Sequence, residues 1–283
     1  MNNPTSQVQK QDNQFIHPWD NFQNLGNNQR TVVEKGDGIY IYDSQGNRLI
    51  DGPSGMWCVN IGHGRKEMAQ AIYDQVMQLS FTSPWSMATS PAAQFSQALA
   101  AEAPGDLNHA FLTTCGSTAV DSALRFVQFY NNYRGKPEKK KIISRLKGYH
   151  GSTYLSASVS GKERDKNYLD FATDLVHHIP APHPLLKPEQ MTDADFLDKC
   201  VADLENKILE LGADKVAVFV AEPILASGGV IVPPTGYHKR CLDVCHQYDV
   251  LYISDEVVTS FGRLGHIFAS EAVFDIVPDI ITT

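Results

Sequence analysis

Four short segments carry residue types able to hold an anion, a flat ring and a proton. Cys115, Gly116, Ser117 and Thr118 follow an apolar run from His109 to Thr114 and precede a stretch of helical periodicity. A helix start offers N–H groups without partners and the positive end of a dipole. Glycine permits close approach and a hydroxyl can donate, so this junction suits a phosphate-like anion. Ser117 or Thr118 could equally serve as no more than a helix cap. The strand-like run ending at Arg145 leads into Lys147, Gly148, Tyr149, His150, Gly151, Ser152 and Thr153. An aromatic between glycines can stack on a flat heteroaromatic ring, or simply anchor a loop. His150 reads as a hydrogen-bond partner rather than a catalytic group. Glu222 and Pro223 follow Val216 to Ala221, and Ser254, Asp255 and Glu256 follow Val250 to Ile253. A carboxylate at the end of a buried strand is costly unless it is paired. For Asp255 the partner could be a protonated ring nitrogen, a helix start or Arg263.

The elements that must position these groups alternate. The segment from Val33 to Asp51 reads as an antiparallel meander, with Ile39 to Tyr42 strand-like and Asp43, Ser44, Gln45 and Gly46 supplying turn chemistry. After Gly64, Met68, Ile72, Val76 and Leu79 recur at helical spacing, which predicts an apolar stripe facing a core. His109 to Thr114 then reads as a strand, Thr118 to Tyr133 as a helix with Val120, Leu124 and Val127 inward, and Lys141 to Arg145 as a strand. The runs Val216 to Ala221 and Val250 to Ile253 lack polar alternation, as expected of parallel strands covered on both faces. Ligands collect at the carboxyl ends of such strands, where the segments above lie.

Composition narrows the function classes. With 42% hydrophobic residues the 283-residue chain can build a sizeable α/β core. The net charge of −8 is spread along the chain and the longest basic run is Lys139 to Lys141, which argues against nucleic acid or an anionic membrane as partner. Five cysteines, Cys58, Cys115, Cys200, Cys241 and Cys245, contain no CxxC pair, so a reducing compartment, the cytoplasm, fits best. No signal peptide and no apolar stretch of bilayer length is legible. Residues 1–14 are polar and expected to be disordered.

Gly-Ser at 116 and 117, Gly-Tyr-His-Gly at 148 to 151, Glu-Pro at 222 and 223, Gly-Gly-Val-Ile-Val-Pro-Pro at 228 to 234 and Ser-Asp-Glu-Val-Val at 254 to 258 occur in order. Together they resemble the class III aminotransferases, which use pyridoxal 5′-phosphate (PLP). The stretch from Asp51 to Arg65 resembles the ω-transaminase branch, which passes amino groups from amines or ω-amino acids to an oxoacid such as pyruvate. The resemblance runs from about His17 to Thr283. It implies an α/β fold of PLP-dependent transferase fold type I, a mostly parallel, seven-stranded-type sheet flanked by helices, plus the N-terminal part of a small α+β domain. The corresponding expectation is a small-domain segment over 15–70 and a large PLP-binding domain over 71–283, in a protein that is a homodimer when complete.

On the same resemblance Gly116 and Ser117 bind the phosphate, Tyr149 stacks on the ring and Asp255 pairs with its nitrogen. Val257 packs on the other face and Glu222 supports Asp255. Trp57 matches the pocket tryptophan of the branch, and Phe22, Trp85 and Trp19 are pocket or interface neighbours. Two departures stand out. Thr118 replaces the acidic residue usual after Gly-Ser, and the sequence resembles the lead-in to the Schiff-base lysine just where it stops at Thr283. No lysine present matches that position, so the chain reads as a truncated, inactive form. Three other readings are a PLP-dependent aminomutase or decarboxylase, a non-catalytic binding module, and a metal hydrolase using His177, His178 and His183. Those histidines fall in a Pro-rich stretch that reads as irregular, without a helix-spaced carboxylate. Cys241 and Cys245, one helical turn apart, read as packing residues.

Overall fold

The computed structural model describes residues 4–283. Two compact units divide it, one running to Met87 and one from Ala88 to Thr283. The boundary expected between residues 70 and 71 falls inside a helix, α3 (Lys66–Gln78).

In the first unit the polar start expected to be disordered forms α1 (Pro4–Asp12). Side-chain hydrogen bonds tie it down: Thr5 Oγ1 donates to Ser44 Oγ at 2.8 Å and Gln9 Nε2 to Arg30 O at 3.2 Å. The meander follows as β1 (Val33–Asp37), β2 (Tyr40–Asp43) and β3 (Arg48–Ile50), paired antiparallel in that order. Asp43 Oδ1 accepts the N–H groups of Gln45 and Asn47 at 2.9 and 2.8 Å, which closes the β2–β3 turn by the side-chain mimicry aspartate favours. A single turn, α2 (Ser54–Trp57), precedes α3. The α3 stripe has the expected spacing, but Met68, Ile72, Val76 and Leu79 are all exposed. Among the described residues of this unit none is buried.

The second unit holds α4 (Ser90–Glu102), α5 (Gly116–Tyr133), β4 (Lys141–Arg145), α6 (Tyr154–Val159), β5 (Val176–Ile179), α7 (Asp193–Leu211), β6 (Val216–Ala221), α8 (Tyr237–Gln247), β7 (Leu251–Asp255), α9 (Ala269–Phe274) and β8 (Ile280–Thr282). Its sheet is wholly parallel, in the order β5-β4-β6-β7-β8. All six residues of β6 are buried, the reason its sequence shows no alternation. On one face Val216, Phe219 and Ala221 pack with Phe196, Leu204 and Ile208 of α7 and Cys241 and Cys245 of α8. On the other, Ala217, Val218 and Val220 meet Val120, Leu124 and Val127 of α5. The two cysteines are therefore packing residues, and burial pushes the Cys241 thiol up to about 12.

Among the described residues the parallel sheet has five strands, where a seven-stranded type was expected. The run 109–114 forms no ladder among the described residues, and Phe111 and Leu112 lie exposed. An extended apolar run becomes a strand only when a neighbour takes its backbone groups. The reading of 177–183 as irregular also needs correction, because His177 and His178 belong to β5, in register with Ile143 and Ser144 of β4. Consecutive strand residues point to opposite faces, so these two histidines cannot share a metal. His178 Nε2 donates to Val159 O at 3.1 Å, and burial pushes this imidazole down to about 4.

Candidate active site

The site is assembled from the start of α5 and the segments that follow β4, β6 and β7 in the second unit. At the first, α5 begins at Gly116 behind Cys115 in extended conformation. Thr118, which replaces the expected acidic residue, completes the cap itself: its Oγ1 accepts the Cys115 N–H at 3.1 Å and donates to Cys115 O at 2.9 Å. Ser117 is thus not the cap. Its Oγ accepts the Ser152 N–H at 3.0 Å, which joins this junction to the β4–α6 loop. A methyl group on Gly116 would stand 2.9 Å from Cγ1 of Val257, so the valine lies directly over the helix start.

The β4–α6 loop is packed just as closely. Gly151, at φ +130°, has no room for a side chain, since a Cβ would fall 2.7 Å from both Cα and Oγ of Ser117. Gly161 passes so near Arg145 O that a Cβ would stand 2.1 Å from it. Tyr149, half-buried, donates its N–H to Glu222 Oε1 at 2.9 Å, and its hydroxyl lies 2.9 Å from Ser152 Oγ. The Lys162 ammonium sits 5.3 Å from the centre of the Tyr149 ring.

Behind the loop lies a buried polar group. His150 Nδ1 is 2.6 Å from Asp255 Oδ2, and both side chains are almost fully enclosed. Asp255 Oδ1 accepts the Val257 N–H at 3.3 Å. Glu222 Oε2 accepts the Ala226 N–H at 3.0 Å, and burial pushes this carboxyl above its ordinary value. Arg145, 1% exposed, donates through Nη2 to Glu222 O, and a cation so enclosed is tolerated only beside negative charge. His238 completes the support, with Nε2 donating to Pro223 O at 2.9 Å and Nδ1 accepting from Tyr252 OH at 2.7 Å. Glu256, the neighbour of Asp255, points the other way and accepts the N–H groups of Ala269 and Ser270 at the start of α9.

Gly116, Ser117, Tyr149, Glu222, Asp255 and Val257 are thereby joined through direct contacts and His150. Trp57, Phe22 and Trp85 belong to the unit ending at Met87, where Trp57 is half-buried and Phe22 and Trp85 are 71% and 95% exposed. No group of three or more histidine, cysteine or acidic side chains among the described residues is arranged to hold a metal ion.

The family model for class III aminotransferases matches residues 22–283. The chain belongs to the class III aminotransferases. It is 38% identical over 257 residues to a putrescine–pyruvate aminotransferase of Pseudomonas aeruginosa, covering 90% of this chain and 56% of that protein. It is 40% identical to a diaminobutyrate–2-oxoglutarate transaminase of Halomonas elongata, covering 89% and 54%. Among solved structures, the ω-transaminase of Pseudomonas jessenii in complex with PMP superposes with a TM-score of 0.93 at 35% identity, covering 97% of this chain and 61% of that one. This class III aminotransferase chain thus spans a little over half the length of the curated relatives it matches. The matched structures also carry the PLP-dependent transferase architecture of fold type I.

Two residues of this class III aminotransferase site went unassigned in the sequence. Arg145 ends a strand just as Ala221 and Asp255 do, so its position alone marked it for inspection. His238 lies inside a helix, and nothing in its spacing pointed to Pro223.

Proposed function

We propose that the site binds PLP, and that a chain of the relatives' length transfers an amino group from an amine or ω-amino acid to an oxoacid such as pyruvate. The observation that carries this is the buried His150–Asp255 pair beside a helix start covered by Val257. The donor set fits the cofactor. A carboxylate held by an imidazole can keep a proton on a pyridine nitrogen, and the first-turn N–H groups of Gly116 and Ser117 with the Ser117 hydroxyl suit a phosphate. His150 Nε2 is buried without a partner, so a proton on Nδ1 directed at Asp255 is the arrangement that leaves least unsatisfied.

When bound, PLP supplies an electron sink for the pair released at the substrate's amino carbon. The chain's own residues do the rest. Asp255 would hold the ring proton, with His150 orienting its carboxylate. Tyr149 and Val257 would bound the ring, and Glu222, which accepts the Tyr149 N–H, would set that residue's backbone. The resemblance assigns Trp57, Phe22 and Trp85 to recognition of the amine. The resemblance places the Schiff-base lysine after Thr283, in the part of the relatives that these 283 residues do not span. A cytoplasmic homodimer belongs to the same proposal, supported by five cysteines without a disulfide and by the resemblance.

The test is a PLP titration of the protein followed by absorbance, before and after borohydride. Saturable binding that borohydride does not fix is expected. Asp255→Ala should weaken it by about tenfold or more, the worth of one charge-assisted hydrogen bond. Equal affinity in Asp255→Ala would refute the assignment of that carboxylate. A reducible band together with turnover of 1-phenylethylamine and pyruvate would refute the placing of the lysine.

A further inference from the structure

Within the Asp51–Arg65 motif, Asp51 and His63 have no part in the reading above, yet the first unit is built around them. Ser54, Gly55, Met56 and Trp57 are four successive residues in the left-handed region, with φ of 52°, 57°, 60° and 67°. Only glycine adopts that conformation freely, so a run with three side-chain-bearing residues persists only where its surroundings hold it. Asp51 does so from one side. Its Oδ1 and Oδ2 lie 3.2 and 2.9 Å from the Gly55 nitrogen, and its carbonyl accepts the Ser54 N–H at 3.0 Å. From the far end, Ser54 Oγ donates to Val59 O at 2.6 Å.

Asp51 is itself held. His63 Nε2 donates to Asp51 Oδ2 at 2.9 Å. The histidine cannot swing away, because its backbone exchanges two hydrogen bonds with Gly38, at 2.8 and 3.1 Å. Its ring also fills the space over Gly36, where a Cβ would fall 2.6 Å from His63 Cγ. The β1–β2 turn thus fixes His63, His63 fixes Asp51, and Asp51 fixes the turn that ends in Trp57.

We propose that Asp51 and His63 are positioning residues that hold the left-handed turn Ser54–Trp57 and so set the direction of the Trp57 indole. Its bearing on the amine pocket rests on the reading of Trp57 given above; the turn itself does not. The test uses the protein with Trp19→Phe and Trp85→Phe, which leaves Trp57 as its one indole, and reads time-resolved fluorescence anisotropy without PLP or amine. In this background Trp57 should show a slow component that reports a fixed side chain. His63→Ala and Asp51→Asn should lose it, with the far-UV circular dichroism of the sheet unit retained. His63→Gln, whose Nε2 can reach the same carboxylate oxygen, should keep it. Persistence of the slow component in both His63→Ala and Asp51→Asn would overturn the proposal, as would its loss in His63→Gln. Asp51→Asn differs from the parent by one atom and guards against a variant that fails to fold. PLP or amine added afterwards tests the pocket separately: a Trp57 emission that ignores both would remove the pocket reading and leave the positioning assignment intact.

Discussion

The two units of the chain are stabilised by different physics. From Ala88 onward the structure rests on apolar burial, with β6 sealed on both faces by α5, α7 and α8. Up to Met87 no described residue is buried, and order comes from turn chemistry, short hydrogen bonds and the Asp51–His63 pair. The contrast shows that hydrophobic periodicity reports which face is apolar but not whether anything covers it. Val120 and Leu124 of α5 have the same spacing as Ile72 and Val76 of α3, yet the first pair is 0% and 1% exposed and the second 59% and 52%.

Several measurements would break or sharpen that comparison. The largest difference is expected between two truncations. Leu204→Ala, at a fully buried position of α7, should lower stability by about 2–5 kcal/mol, whereas Ile72→Ala on α3 should change it by less than about 0.5 kcal/mol. Denaturant unfolding followed by circular dichroism measures both, and a comparable loss in Ile72→Ala would show that the α3 stripe is covered in solution.

Next comes acid. His238 is fully enclosed, and burial pushes its imidazole down to about 3, with the nearby Arg145 charge adding to the effect. Its folded value lies below the unfolded one near 6.5, so between those limits the unfolded chain takes up a proton that the folded chain refuses. The corresponding stability is present above about 6.5 and is lost as pH falls toward 3, on the order of 5 kcal/mol in full. In His238→Gln the slope of unfolding free energy against pH near pH 5 should shrink by about 1.4 kcal/mol per unit. An unchanged slope would mean that His238 is not the buried neutral group described. No equivalent enclosed imidazole exists among the described residues up to Met87, so the part of the acid response that comes from a buried imidazole should belong to the unit from Ala88 onward.

The smallest effect belongs to the surface. Lys239 and Asp243 pair at 2.5 Å one turn apart on α8, with both side chains well exposed. A double-mutant cycle to alanine should return a coupling of about 0.3–0.5 kcal/mol, fading with added salt. A value several-fold larger would mean that exposed pairs contribute to this unit on the scale of its core.

How legible the molecule was depends on the same contrast. β4, β6, β7 and α5 could be read because their signals are local: an apolar run for a strand buried on both faces, a period of 3.6 for a half-buried helix. The Gly-Ser, Gly-Tyr-His-Gly and Asp-Glu segments could be placed because a parallel sheet brings its strand ends together. The run 109–114 was misread because a strand is a property of a pair of segments, and α1 because its order depends on Ser44 and Arg30, far along the chain. His238 and Arg145 were missed for a related reason, since their acceptors are backbone carbonyls that carry no sequence signature. That His150 meets Asp255 likewise depends on packing across β4, β6 and β7.

The crowding around Gly151 and Gly161 bears on how such a site can be altered by design. Both positions lie within contact of the loop that would grip the cofactor, yet neither can accept even a methyl group, so diversity introduced there would yield mostly misfolded protein. Ser152 is exposed and contributes its backbone N–H to Ser117, an interaction that survives most changes of side chain. A directed-evolution library gains more from Ser152 than from its glycine neighbour, although the two sit side by side in the sequence.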